Sequence, residues 1–545
     1  MMKPDIRRRD GLARSGMVTV GAERVPFPAA LDTGPLFPAL MDQRGTNVPP
    51  GADPEFARTW VVQPEGKEEP VVIHPALPDS AQCGDCVVVA NWHTVMDNPR
   101  QYVEYLVNLK EKTVPDTLWY APATALPSNV HILCYSGFDL FDYRAADLKT
   151  AQQKFCMPEG EFPASAMEEM TCGCEGCRAG DLRMHNRIAL DRELALCRFF
   201  IHQGQFREFA ESRCRLHAPN VAILRRLDAR FPFVERSAQV VRGGTLKANS
   251  GESMNRPEVR RFMERVLSRY IPPKADVAVL LPCSARKPYS LSQSHRRFCL
   301  AVGGRAHELI VTSPLGLVPR ELETVYPAMH YDVPVTGTWD AEERAVISDV
   351  IAQYFRKHRY RRVIAHLEGG ARTVAEMAAE SAGITLEYSC REDPASGAAL
   401  NTLDNALAGE RRVRDDRLHG ICSYQFNADL DPRPFSVRGT FPELFYSRNR
   451  VPCFSIDTAG GMLRPTFDGW SLIPEGYRIT IDDFIPEGDI LAPGVTRADP
   501  AIRDGDEVLV TGPRAIATGR AAMSGDEMVR SGHGVAVRVR KVKRI

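Results

Sequence analysis

Apolar and polar positions change their period several times along the chain, and each change marks an element. Residues 1–70 are rich in proline and glycine (VPFPAALDTGPLFP, NVPPGADP), which leaves room for short strands at most. VVVAN (87–91) and TLWYAPA (117–123) then read as strands on either side of RQYVEYLVNLKEK (100–112), whose apolar residues recur at helical spacing. HILCYSGFDLFD (131–142) reads as closing this series, and parallel β/α packing follows from the alternation. A cysteine cluster and a long helical stretch fill 170–230, and RGGTLKANSGESMNRPEVRR (242–261) reads as a basic, polar linker. Beyond it DVAVLLP (276–282), HELIVTSP (307–314) and YRRVIAHLEGG (360–370) are strands of the buried type. Between the last two, Asp340 and Glu343 have capping-box spacing, and Val346, Ile347, Val350, Ile351 and Tyr354 form an apolar stripe. A further helix is predicted from Arg372 to near Gly383. Residues 400–470 show no dominant period. From 472 onward short strands alternate with Gly/Asp turns (RDGDEVLV, GHGVAVRVRKV), the pattern of a small β-barrel.

Composition narrows the picture only slightly. At 545 residues the chain exceeds one core. Lys+Arg and Asp+Glu both number 69, so only local charge asymmetry can point to a partner. No apolar run approaches 18 residues and the N-terminus, MMKPDIRRRDGLARSG, lacks an apolar core, so neither a membrane span nor a secretory signal is expected. Fourteen cysteines without such a signal point to reduced thiols and metal ligation in the cytoplasm.

TCGCEGCRAG supplies Cys172, Cys174 and Cys177 as C-x-C-x2-C. Three thiolates this close can hold one tetrahedral zinc, given a fourth ligand. His202 is the candidate, since helical spacing places it with Phe199, Phe206 and Phe209 on an inward face, whereas His185 lies in the polar stretch LRMHNRI. Four protein ligands would make the zinc structural. CGDC (83–86) has no thioredoxin-like setting and reads as structural. At the C-terminus, Arg514, Arg520, Arg530, Arg538, Arg540, Lys541, Lys543 and Arg544 face only Asp526 and Glu527. The alternation VAVRVRKVKRI sets valines on one face and cations on the other, so Arg538, Arg540, Lys541 and Lys543 are candidates for contact with RNA phosphates.

The densest chemistry lies in LLPCSARKPYSLSQSHRRF (280–298), where an apolar strand runs into Cys283, Lys287, Tyr289, Ser292 and His295. Open α/β sheets gather ligands at the C-terminal ends of their strands, and Thr312-Ser313-Pro314 and His366-Leu367-Glu368-Gly369-Gly370 end two neighbouring strands that could converge on the loop. A proline-rich turn with Ser292 as helix N-cap explains Pro282, Pro288 and Ser292, but not Cys283, Lys287 and His295 together.

Several motifs carry a family resemblance. C-x-C-x2-C followed by a helical histidine resembles the zinc pattern of tRNA-guanine transglycosylases; RDGLARSG resembles their start, and Gly137–Asp142 (GFDLFD) their G-x-D-x-F-D segment. That likeness implies Asp139 as the position of the ribose-attacking nucleophile. The D-S-G base-recognition segment has no counterpart upstream, and YRAADLKTAQQKF lacks the arginine-bearing continuation, so base exchange is not expected. The residues IRDGDEVLV, TGRAAMSGDEM and GHGVAVRV look like a PUA domain, which implies structured RNA as partner. Pro282, Cys283, Lys287, Pro288, Tyr289, Ser292 and His295 match the signature P-C-x3-K-P-Y-x2-S-x2-H of the archaeosine synthase family, as do VTSPLGLVPRELE and HYDVPVTGTW.

The resemblance implies a multidomain α/β chain. A truncated, degenerate TIM-barrel-like transglycosylase region would occupy 1–165, a zinc-binding subdomain 166–245, an inserted Rossmann-like α/β catalytic domain 262–400, a connecting α+β domain 401–471 and a PUA β-barrel 472–545. It implies an amidine-forming transferase acting on tRNA that already carries 7-cyano-7-deazaguanine in its D-loop. The amine would come from free lysine or from glutamine, and a radical-SAM lyase would be a further partner; a homodimer is open to such a chain. Cys283 could form a thioimidate with the nitrile, favoured as thiolate by Lys287, with His295 as proton donor and Tyr289 against the base. Direct attack by the amine, with Cys283 structural, is the other route.

Overall fold

The computed structural model describes residues 4–20, 23–33, 48–61, 71–77, 84–165, 172–334, 338–414 and 416–545. The chain divides into two compact units. One comprises Met1–Gly244, Gly488–Asp504 and Ala522–Arg538; the other comprises Thr245–Glu487, Gly505–Ala521 and Val539–Ile545. Among the described residues no helix is long and apolar enough to cross a membrane.

In the first unit β1 (Ala29–Leu31), β2 (Val71–Ile73), β3 (Cys86–Val89), β4 (Leu118–Tyr120) and β5 (Leu140–Asp142) form a sheet in the order β1-β5-β4-β3-β2. Every pair is parallel, and the first strand lies beside the last. Alternate residues feed two cores: Val87, Val89, Trp119 and Phe141 join one, while Val88, Tyr120 and Leu140 join the other. Burial on both faces explains why these strands are short apolar runs. HILCYS does not extend β5, because Val130–Tyr135 is a helix buried at every position. An apolar run without a period does not distinguish a buried strand from a buried helix turn. Of CGDC, Cys86 is buried in β3 and Cys83 lies outside the described residues.

In the second unit β6 (Val277–Pro282), β7 (His307–Thr312), β8 (Gly316–Pro319), β9 (Arg362–Ala365) and β10 (Leu386–Tyr388) order as β8-β7-β6-β9-β10, with β8 antiparallel and the rest parallel. The helices α1 (Gln293–Val302), α2 (Ala341–Lys357) and α3 (Gly369–Ala382) accompany these strands. Asp340 and Glu343 form the predicted capping box of α2, and Gly383 ends α3 in the left-handed conformation. From β6 the chain steps to β7 on one side and later to β9 on the other, so the sheet order reverses at β6. Such a reversal opens a crevice at the strand C-termini.

The expected linker 242–261 contains the start of helix Pro257–Ser268, whose Val259, Phe262 and Val266 are fully buried. The unperiodic stretch beyond 400 holds an antiparallel meander of β11 (Phe435–Thr440), β12 (Glu443–Arg448), β13 (Val451–Ile456) and β14 (Leu463–Pro465). Near the C-terminus the strand Arg478–Ile481 pairs in parallel with Glu507–Thr511, which pairs antiparallel with Ala515–Ala521. Ile490–Leu491 pairs antiparallel with the last strand, Val535–Arg544.

Candidate active site

The crevice at the sheet reversal is a cleft of about 550 Å³. Cys283 enters it from the end of β6, Ser313 from the end of β7, and Glu368, Gly369 and Gly370 from the end of β9 and the start of α3. The three strand ends therefore converge as their sequence pattern predicts. Trp339, Asp340 and Glu343 add a wall from the start of α2. The Ser313 hydroxyl donates to Glu343 Oε1 (2.8 Å), and Glu368 Oε2 accepts from the Asp393 backbone N–H (3.0 Å). Cys283 itself is exposed.

The other loop residues stand behind Cys283. Lys287 Nζ lies 3.9 Å from the centre of the Tyr331 ring, and burial lowers its pKa while the Cys283 charge opposes that shift. Tyr289 is fully buried, and its hydroxyl shares a 2.7 Å hydrogen bond with Tyr331, whose own hydroxyl meets Thr312 Oγ1 at 2.5 Å. Ser292 caps α1 by accepting from the His295 N–H. His295 departs from its expected role. It is fully buried, its Nε2 faces the Pro282 carbonyl (2.9 Å) and its Nδ1 faces Arg320 Nη2 (2.8 Å). A guanidinium has no acceptor, so Nδ1 accepts and Nε2–H donates to the carbonyl. Burial, then the Arg320 charge, pushes the imidazole down to about 3. Both nitrogens are occupied and the ring is neutral, so His295 holds the Pro282 end of the loop and is not placed to protonate a substrate. Arg320 is fixed in turn by Glu308 (2.6 Å) and Glu323 (3.0 Å). Arg320 and Tyr331 were missed as supports of the loop, although both lie in the segments VTSPLGLVPRELE and HYDVPVTGTW that carried the family likeness. Glu343 appeared only as half of a capping box.

The metal ligands also need one correction. Cys172, Cys174 and Cys177 gather with His185, their donor atoms all within 4.8 Å of one another. The thiols lie 3.8, 3.3 and 3.2 Å from His185 Nδ1. The second nitrogen, Nε2, donates to the Cys156 carbonyl at 3.0 Å, which leaves Nδ1 free as a ligand, the usual outer-shell arrangement of a metal-bound imidazole. Three thiols and one imidazole at this separation suit a tetrahedral ion such as zinc. Gly176 is required for the close approach, since a Cβ there would sit 2.3 Å from the His185 backbone nitrogen. His202 lies at the far end of the helix Leu182–Gln203 and is exposed, as is Phe199. The helix stops at Gly204 in the left-handed conformation, so Phe206 and Phe209 belong to the next helix. The inward stripe of the long helix is His185, Asn186, Leu190, Leu194, Cys197 and Ile201.

The two transglycosylase-like segments meet in space. Arg14, from RDGLARSG, forms a buried ion pair with Asp139, from GFDLFD, and donates to the Thr117 carbonyl (2.7 Å). The Trp119 N–H donates to the same Asp139 oxygen, Oδ2 (2.9 Å), and Lys110 Nζ donates to the Gly137 carbonyl (2.7 Å). Asp139 is fully buried, so its carboxylate ties Arg14 to β4 rather than facing a substrate. Asp142 accepts from the Tyr120 hydroxyl (2.7 Å) and the Ala123 N–H (3.0 Å).

At the C-terminus Arg538, Arg540, Lys541 and Lys543 are all exposed. Arg540 is paired with Glu507 (2.5 Å). The alternation slips after Arg540: Lys541 and Lys543 take the parity of Val535, Val537 and Val539, so the cations are not confined to one face.

Fold and site define a mixed α/β protein with a thiol-bearing cleft, a Cys3His cluster and a C-terminal β domain. The family model "PUA domain" matches residues 477–543, and "Domain of unknown function (DUF5591)" matches residues 259–407, which include most of the cleft lining. The chain is 39% identical over 503 residues to archaeosine synthase subunit alpha of Methanosarcina acetivorans, covering 85% of this chain and 80% of that one. It is 33% identical over 579 residues to archaeosine synthase of Haloferax volcanii, covering 99% of both. A tRNA-guanine(15) transglycosylase of Methanothermobacter thermautotrophicus is 25% identical over 447 residues, 74% of this chain and 63% of that protein. The chain belongs to the archaeosine synthase family.

Proposed function

We propose that the protein is an archaeosine synthase that works on tRNA already carrying 7-cyano-7-deazaguanine and adds an amine across the nitrile to form an amidine. The observation that carries this reading is the exposed Cys283 thiol in a cleft that Glu343 and Glu368 also line. A nitrile carbon is a poor electrophile, and covalent activation divides its attack into two easier steps. Cys283 sulfur adds to the nitrile carbon while the nitrogen takes a proton, giving a thioimidate. The amine then adds to the same carbon, loses a proton and displaces the sulfur, leaving an amidine and the free thiol. Lys287, with a pKa lowered by burial, supplies the first proton in place of His295. Glu343 and Glu368 receive the cationic end of a lysine donor; a glutamine-derived nitrogen is the alternative source.

In the same reading the Cys3His cluster holds a structural zinc, the parallel sheet of the first unit is the remnant of a transglycosylase barrel, and the cleft sheet is a Rossmann-like domain inserted after it. The exposed cations of the last strand add to tRNA binding by the PUA domain, the protein acts in the cytoplasm, and a lyase completes archaeosine. The buried Arg14–Asp139 pair counts against base exchange.

Incubation with tRNA carrying the cyano base and lysine or glutamine, followed by nucleoside mass measurement, tests the reading. A nucleoside heavier by one lysine, or by one ammonia with glutamine, is expected. Release of the whole base would replace it with a transglycosylase, and an unchanged nucleoside with every donor would leave a tRNA-binding subunit.

A further inference from the structure

The meander β11–β14 carries a row of side chains that the cleft does not use. Its register sets Arg438 opposite Phe445, Phe445 opposite Ser455, and Ser455 opposite Arg464. Directly paired residues share a face, so these four form one line across the sheet, roughly 14 Å long at the usual strand spacing. Tyr446 and Phe454 fill the opposite face and are buried, whereas Phe445 is 54% exposed and Arg438 is exposed. Gly439 has φ +97°, and a Cβ there would lie 2.2 Å from the Glu443 carbonyl oxygen and 3.3 Å from the Phe445 ring. The ring thus lies against bare backbone. Glu443 is a carboxylate on the same face, at the hairpin end.

At Arg464 the row runs into a fixed arginine array. Asp457 and Glu507, both almost fully buried, hold Arg464 (2.6 Å to Asp457), Arg520 (2.6 Å to Asp457, 3.5 Å to Glu507) and Arg540 (2.5 Å to Glu507). Three guanidiniums share two carboxylates, so the cluster keeps positive charge, and the arginine side chains remain 39%, 32% and 38% exposed. Carboxylates that fix arginines without neutralising them hold phosphate-binding groups in place before a ligand arrives.

We propose that this strip extends the RNA surface of the last strand, which it meets at Arg540: Phe445 stacks on an unpaired base while Arg438 on one side and Arg464, Arg520 and Arg540 on the other contact backbone phosphates. An exposed aromatic between cations has the chemistry of a single-stranded RNA platform, where charge complementarity tracks the backbone and a π-face receives any base. The proposal rests on the tRNA reading for the source of the RNA, and on the register and charge above for the site.

The test uses the full-length protein and an unmodified tRNA transcript, with affinity measured by anisotropy across a salt series, so that no chemistry is needed. Phe445→Ala is expected to weaken binding roughly 5- to 100-fold. Phe445→Trp is expected to restore it with quenched tryptophan emission, whereas Phe445→Leu is not. Arg438→Ala is expected to reduce the slope of log affinity against log salt by about 1. Cys283→Ser is expected to bind as wild type, which separates this surface from the nitrile chemistry. Wild-type affinity and slope in both Phe445→Ala and Arg438→Ala would overturn the proposal and leave the strip to a protein partner. Wild-type binding by Phe445→Leu would overturn the stacking role. Because Phe445 is exposed, melting temperatures of the variants are expected to match wild type, and Phe445→Trp carries the test if Phe445→Ala does not fold.

Discussion

Cys283 and His295 are twelve positions apart in one loop, yet they stand in opposite surroundings. The thiol opens onto the cleft, while the imidazole is enclosed between the Pro282 carbonyl and Arg320. His295, with His131, is pushed down to about 3, and His358 to about 4, in each case first by burial, against an ordinary value of 6.5. A depressed folded pKa means that the unfolded chain binds more protons between those values, so stability is full above 6.5 and is lost as pH falls towards 3–4. The melting temperature is therefore expected to fall steadily from pH 6.5 to 4, and less steeply in His295→Gln. An equal slope in that variant would remove His295 from the buried network. Residue types were legible here because a thiol, an amine and an imidazole in one strand-end loop are chemically unusual. Which of them faces solvent was not legible, because that depends on Arg320 from a different element.

At the scale of elements, periodic helices and their stops read well. The capping box at Asp340–Glu343 and the glycine stop at Gly383 both stand as the spacing predicts. Gly204 is the same kind of stop, and a helical period carried through it sets His202 on a false inward face. Following the stripe Leu190–Leu194–Ile201 back towards the helix start would have led to His185. The consequence can be measured by metal content. Wild type is expected to carry zinc, and His185→Ala or Cys174→Ser to lack it and melt at lower temperature, because a structural Cys3His site couples metal binding to folding, with roughly 10–16 kcal/mol of apparent affinity in zinc-finger peptides. His202→Ala is expected to keep one zinc per chain; loss of zinc in that variant with retention in His185→Ala would reverse the assignment.

At the scale of the whole molecule, the two transglycosylase-like segments were legible as motifs, but their joint fate was not. Arg14 and Asp139 are 125 residues apart, and only the fold turns them into a buried pair with the Trp119 N–H. The meander β11–β14 was silent for a different reason: its strands are short, one of them is exposed along nearly its full length, and no apolar alternation marks it. A buried Arg14–Asp139 pair in one unit, and in the other a sheet whose strand ends converge on a thiol, fit the proposed addition to a base already in tRNA. The most direct measurement compares wild type with Cys283→Ser on tRNA carrying 7-cyano-7-deazaguanine, reading nucleoside masses at equal tRNA occupancy. Conversion to the amidine is expected of wild type, with a loss on the order of 10³-fold or more in the variant, the scale of removing a nucleophile. Undiminished conversion by Cys283→Ser, or release of the base by wild type, would contradict the proposed addition.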